Sequence, residues 1–238
     1  MNILCIGNSF SDDATRYLYD ICRKQGIHNV HISNLFIGGC SLETHYRNML
    51  SEKYAYTLTI NGIPSGYPMS IKDALLNRHW DIITVQQVSC SAPFYHTFQP
   101  YLNELIAYIR KYQPKAKLAI HETWAYEKDS DRLLSLNFHT PAEMHEQVHA
   151  SYQQAFKETN ADFYIPSGTM FMRLLENGIE KVHRDTFHAT LGLGRYALGL
   201  LWCHVLFNQD ITENRFDDFD VPVTQEEQDI AKRCVMEF

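Results

Sequence analysis

Five short runs with strand character, at residues 2–6, 30–36, 81–86, 116–121 and 162–165, are separated by longer stretches of helical periodicity. No other feature constrains the fold as much. Strands interleaved with helices return parallel to one another, so the pattern implies an α/β domain with a parallel sheet covered by helices on both faces. The first helical stretch, from about Asp12 to Lys24, places Ala14, Tyr17, Leu18 and Ile21 on one face, and Gly26 supplies a stop. Leu102, Leu105, Ile106 and Ile109 repeat that spacing ahead of Pro114.

With 238 residues, 45% of them hydrophobic, the chain can bury the core of a single domain spanning residues 1–238. Residues 51–70 break the rhythm. Tyr54, Tyr56, Leu58 and Ile60 alternate before Asn61-Gly62, which predicts an inserted hairpin or excursion. Residues 209–238 read as a C-terminal extension, in which the acidic segment 214–220 leads to a helix from about Thr224.

A balance of 21 Lys and Arg against 28 Asp and Glu, a formal charge of −7, argues against nucleic acid as a partner. The apolar stretch 196–207 is too short to span a bilayer, so no membrane association is expected. The start of the chain reads as a strand and not as a leader, which, with six cysteines and no CxxC pair, points to a cytoplasmic protein with buried thiols; the alternative is a secreted or periplasmic protein whose leader has been removed, for which the even number of cysteines allows disulfides. Oligomeric state is not legible.

The first strand runs into "IGNSFSDDA", residues 6–14. Ligands of such sheets bind beyond the carboxyl ends of the strands, so Ser9 stands where a nucleophile belongs, close to a helix N-terminus that favours negative charge. The alternative is that Ser9 or Ser11 caps the helix. A serine nucleophile needs a base held by an acid. Asp185 and His188, three residues apart ahead of an apolar helix starting about Ala189, can supply that pair.

Four blocks, "IGNSFS", "FIGGCSL", "ITVQQVSCSA" and "DTFH", fall in the order and at the elements of the SGNH (GDSL-like) hydrolases, which the chain resembles over residues 2 to about 207. "GNSFSDDA", "IGGCSLETH", "WDIITVQQVS" and "HETWAY" are similar, more narrowly, to an uncharacterised bacterial subgroup of SGNH type. The resemblance implies a flavodoxin-like three-layer α/β/α sandwich with a central, mostly parallel five-stranded sheet. It also implies a serine esterase in which Ser9 attacks an ester carbonyl, His188 acts as base and then acid, and Asp185 orients His188. No cofactor or metal is called for. The oxyanion would be held by the N–H groups of Ser9 and Gly39 and by one side-chain amide.

That amide is where the chain departs from the family, because Gln86, Gln87, Val88 and Ser89 stand where a Gly-x-Asn is usual. Gln87 is the first choice for the third donor, with Gln86 and Ser89 as substrate-binding neighbours held in reserve. After the fourth strand, Glu122 is read as binding a substrate hydroxyl or pairing with a nearby base, and Trp124 as one wall of the pocket. The expected substrate is a small acyl ester, an acetyl ester first, on a small molecule or a saccharide.

Two other functions are open. "HEQVH", His145 to His149, matches the H-E-x-x-H of zinc peptidases, with Glu146 as base and Glu176 or Glu180 as a distant third ligand. Its helix carries an apolar stripe of Met144, Val148, Tyr152, Ala155 and Phe156, which places both histidines beside the stripe, on or near the surface. The second is a catalytically silent carbohydrate- or ligand-binding protein on the same fold.

Overall fold

The computed structural model describes residues 1–238. Seven strands, β1 (Asn2–Gly7), β2 (His31–Phe36), β3 (Tyr56–Ile60), β4 (Ile63–Met69), β5 (Ile82–Val85), β6 (Lys117–His121) and β7 (Phe163–Ile165), form one sheet in the order β4-β3-β2-β1-β5-β6-β7. The helices are α1 (Ser9–Thr15), α2 (Leu18–Lys24), α3 (Leu42–Leu50), α4 (Ile71–Asn77), α5 (Tyr101–Tyr112), α6 (Asp131–Ser135), α7 (Pro141–Thr159), α8 (Ser167–Glu176), α9 (Leu193–Phe207) and α10 (Gln225–Val235).

The five strands expected from the sequence pair in parallel as β2-β1-β5-β6-β7. The sheet is nevertheless two strands wider than five, because the 51–70 excursion is the antiparallel hairpin β3-β4, docked on β2. Asn61 and Gly62 both take the left-handed φ that a tight hairpin turn demands. A Cβ on Gly62 would lie 2.4 Å from the carbonyl oxygen of Arg16, so the turn can sit against the first helical segment only as glycine.

Side chains of β1 alternate between two cores. Ile3 and Cys5 join the layer of α1, α2, α8, α9 and α10, whereas Leu4 and Ile6 join the layer of α3, α4, α5 and α7. α9 is apolar around most of its circumference and is accordingly buried, with Tyr196, Leu200 and Trp202 inaccessible to solvent. α10, capped by a Thr224–Glu227 box, adds Ile230, Ala231, Cys234 and Val235 to the same core. The C-terminal extension is thus part of the domain's interior packing. No helix is long and apolar enough to cross a membrane. Five of the cysteines are buried thiols and Cys90 is exposed.

Two element boundaries differ from the sequence reading. The stretch from Asp12 to Lys24 is two helices, and the first begins at Ser9. The Thr15 hydroxyl bonds back to Ser11 O at 2.8 Å, a contact that bends helices, and the buried Tyr17 at the break accepts from Asp220 N and donates to Leu191 O. The late apolar helix begins at Leu193, because residues 182–190 form a tight loop closed by a His183–Ala189 bridge.

Three histidines are nearly or fully buried. Burial pushes His45 and His121 down to about 3, and His183 down to about 4, against a backbone bond to Ala125 that raises it. The unfolded chain takes up these protons near pH 6.5, so their contribution to stability is complete above that value and is lost as pH falls towards 4, at about 1.4 kcal/mol per pH unit for each histidine. Thermal melts should hold steady between pH 7 and 8 and decline from about pH 6.5 downwards, above the range in which carboxylates titrate. A melting temperature that stays level until pH 5 would contradict this.

Candidate active site

The turn after β1 has little room. A Cβ on Gly7 would lie 2.3 Å from Ser11 Oγ and 3.0 Å from Gln86 Oε1, so only glycine lets α1 start directly beneath the strand. Asn8, in extended conformation, caps α1 by accepting from Phe10 N at 3.0 Å. Ser11 is bonded to Asn8 O and Asn34 Oδ1. Capping therefore falls to Asn8, and the Ser9 hydroxyl is left for another partner.

That partner is His188, whose Nε2 lies 2.8 Å from Ser9 Oγ across 179 positions of sequence. The Asp185 carboxylate takes both groups of His188, the backbone N–H at 2.9 Å on Oδ1 and ring Nδ1 at 2.8 Å on Oδ2. An ionised carboxylate can only accept, so Nδ1 carries the proton and Nε2 faces Ser9 as an acceptor. Partial burial pushes the Asp185 carboxyl up, but the two His188 bonds and the charges of His188 and Arg184 outweigh it and hold it below the usual range. Between them Thr186 adopts φ +75°, an uncommon conformation for a β-branched residue, and its carbonyl accepts from Glu127 N at 2.7 Å.

The loop is fastened to α1 through Asp13, which is 1% exposed. Arg184 Nη1 lies 2.9 Å from both Asp13 oxygens, Arg195 Nε is 2.9 Å from Oδ1, and Ala189 N donates to Oδ2 at 3.2 Å. Arg184 and Ala189 flank the Asp185–His188 segment on either side, so this one carboxylate sets where the imidazole stands relative to Ser9. In the sequence "SDDA" reads only as an acidic first turn, and nothing there marks Asp13.

A cavity of about 450 Å³ opens over Ser9 and His188. Phe10, Phe36, Tyr126 and Phe187 make its walls largely aromatic, and Asn8, Gly39, Ser89, Cys90 and Arg132 are among its other lining residues. Gly39 takes φ +61°. The N–H groups of Ser9 and Gly39 donate to no other group of the chain. Arg132 rests over the Phe187 ring at 4.0 Å.

Besides Asp185, which stands behind His188, four expected site residues do not line this cavity: Gln86, Gln87, Glu122 and Trp124. Gln87 is buried and donates through Nε2 to Thr97 O and Thr97 Oγ1, while its Oε1 accepts from Leu42 N and Val88 N. Its amide is used in joining loops. Gln86 donates to Asn8 Oδ1 at 2.7 Å and accepts from His121 Nδ1 at 2.8 Å, so it steadies the Asn8 cap. Of the three residues considered for the third oxyanion donor, only Ser89 reaches the cavity, with its hydroxyl 3.0 Å from Tyr126 OH.

Trp124 is fully buried and forms no wall. It stacks behind Phe10 at 4.1 Å and donates from Nε1 to Phe187 O at 2.7 Å, bracing two residues that do line the cavity. Glu122 is likewise fully buried. Its carboxylate accepts from Thr169 N at 2.7 Å, from Tyr164 OH and from His149 Nδ1 at 2.7 Å, so of its two expected roles the structure places it against a neighbouring base. His145 and Glu146 lie with His149 on a separate cavity, together with Glu176; Glu180 is not among its lining residues.

Replacing Asp13 with alanine strands two arginines and frees the loop, and breaking a buried pair of this kind costs about 3 kcal/mol. Urea unfolding of Asp13→Ala should show a loss of roughly that size. A midpoint matching the parent would contradict the role given to this carboxylate.

Comparison with curated proteins gives no match in sequence. Among solved structures the chain is similar to a DUF4886 family protein from Bacteroides uniformis, at 29% identity and TM-score 0.91, covering 100% of this chain and 93% of that chain. It is similar in fold to a candidate SGNH hydrolase from Slackia heliotrinireducens, at 20% identity and TM-score 0.61, over 87% of this chain and 98% of that chain. An acetylxylan esterase from Geobacillus stearothermophilus matches at 12% identity and TM-score 0.54, over 85% of this chain and 92% of that chain. The fold is that of the SGNH hydrolases. Residues 2–237 match the sequence family described as a domain of unknown function, DUF4886, and the chain belongs to that family.

Proposed function

We propose that this chain is a serine esterase that removes a short acyl group, acetyl above all, from an alcohol through an acyl-enzyme on Ser9. The observation that carries the reading is the unbroken hydroxyl, imidazole and carboxylate chain, with contacts of 2.8 Å at both joints. Ser9 Oγ attacks the ester carbonyl while His188 Nε2 takes its proton. Asp185 keeps Nδ1 protonated and steadies the imidazolium that results. His188 then returns the proton to the departing alcohol, and water repeats the sequence on the acyl-enzyme.

Negative charge gathers on the carbonyl oxygen in both steps. The unused N–H groups of Ser9 and Gly39 supply two donors, and the Ser89 hydroxyl, in place of an amide, supplies the third. Each donor contributes about 3 kcal/mol of barrier lowering. The aromatic walls suit an apolar acyl group. Saccharide esters are the first alcohols to test, since one fold neighbour is an acetylxylan esterase.

The silent-binder reading draws on one observation, that neither Gln86 nor Gln87 lines the cavity, since both amides are committed elsewhere. Turnover separates the two. The parent should hydrolyse p-nitrophenyl acetate, and Ser9→Ala should lose at least roughly 10³-fold in kcat with unchanged melting. Asp185→Asn, which favours the wrong tautomer, should lose about 10²- to 10⁴-fold. A parent without turnover, or equal rates for parent and Ser9→Ala, would overturn the esterase reading.

A further inference from the structure

The "HEQVH" segment is not used by the chemistry at Ser9, and its surroundings carry an assignment of their own. α7 opens with a Thr140–Glu143 capping box and Pro141 in its first turn, and runs for 19 residues with Met144, Val148, Ser151, Tyr152 and Ala155 turned inward. His145 and His149, four residues apart, fall beside that stripe on a common face. The end of β6 brings Glu122 beneath them. One ligand atom from each of Glu122, His145 and His149 lies within 4.8 Å of the other two.

Three further observations point to a cation here. Glu122 is a fully buried carboxylate whose only charge partner is His149, and burying such a group is costly without a compensating cation. His145 Nδ1 is buried without any hydrogen-bond partner. Gly168 keeps the space between them open, since a Cβ there would lie 2.8 Å from Glu122 Oε1 and 3.2 Å from His145 Nδ1. A cavity of about 520 Å³, lined by both histidines with Glu146, Thr169 and Glu176, gives access from solvent and room for a water ligand.

We propose that Glu122, His145 and His149 bind one divalent transition-metal ion, zinc being the ion that two imidazoles and a carboxylate with one open position suit best. Calcium and magnesium, which prefer oxygen ligands, do not match this donor set. Glu122 Oε2 and His149 Nδ1, now 2.7 Å apart, open to the roughly 3.3 Å separation of neighbouring ligands around a tetrahedral ion as the metal replaces their shared proton. The half-exposed His149 ring is free to make that movement. The third ligand comes from a strand end and not from Glu176 or Glu180, so the ion ties α7 to the sheet.

The test uses the full chain, freed of metal by chelator dialysis, with zinc as the probe. Isothermal titration and elemental analysis after desalting should give one zinc per chain, and zinc should raise the melting temperature. His145→Gln and His149→Gln should each weaken binding at least tenfold, while the exposed His28→Gln and Ser9→Ala should bind as the parent does. Cobalt should develop a visible absorption in the parent that both ligand variants lose. Should His149→Gln fail to fold, His145→Gln and the cobalt spectrum decide. No zinc above the buffer blank, or equal affinity in parent and His145→Gln, would overturn the site, and neither readout depends on ester hydrolysis.

Discussion

The geometry over Ser9 depends on a buried charge that does not line the cavity above it. Asp13 is buried on the first helix and gathers Arg184, Ala189 and Arg195 from the far end of the chain. A hydroxyl and an imidazole separated by 179 positions can hold a 2.8 Å contact only if their backbones are fastened together. The clamp makes α1 and the 182–190 loop one body, with Arg16–Asp220 and Arg195–Asp220 extending it towards the surface. Ion pairs of this kind add modest net stability but leave few alternative arrangements, so the Ser9–His188 contact is held in one geometry.

The end of β6 shows how one strand serves two places. Successive side chains of an extended strand point to opposite faces. His121 turns to one side, bonding Gln86 and Ser167 and meeting the Trp202 ring edge-on at 4.8 Å. Since Gln86 donates to Asn8, His121 is joined through two hydrogen bonds to the cap that sets Ser9. The next residue, Glu122, turns towards α7 and α8. A buried histidine on one face and a buried carboxylate on the other give this strand end more polar commitment than an ordinary sheet terminus; the histidine is hydrogen-bonded at both ring nitrogens, whereas the carboxylate's charge is matched only by His149.

Much of this was legible in the sequence. The five parallel strands followed from the alternation of periods, and the 51–70 hairpin from Asn61-Gly62 and the alternating residues before it. Ser9, Asp185 and His188 were readable because position after a strand and spacing within a loop are local properties. What failed was side-chain direction. Gln87 and Trp124 sit at the expected places along the chain, yet Gln87 finds Thr97 and Leu42, and Trp124 finds Phe10 and Phe187, partners that only the folded loops bring near. Asp13 carries no such signal, because a buried carboxylate in a helix's first turns looks the same in sequence as a solvated one.

The central claim is that Ser9 carries an activated hydroxyl, and the most direct measurement is intact-protein and peptide mass spectrometry after treatment with a fluorophosphonate. Such a probe phosphonylates a serine whose proton is taken by a neighbouring base and spares ordinary hydroxyls. The account predicts one adduct per chain, located on Ser9 and slowed severely in His188→Gln. A folded protein that forms no adduct, or one modified at another serine with Ser9 untouched, would contradict it.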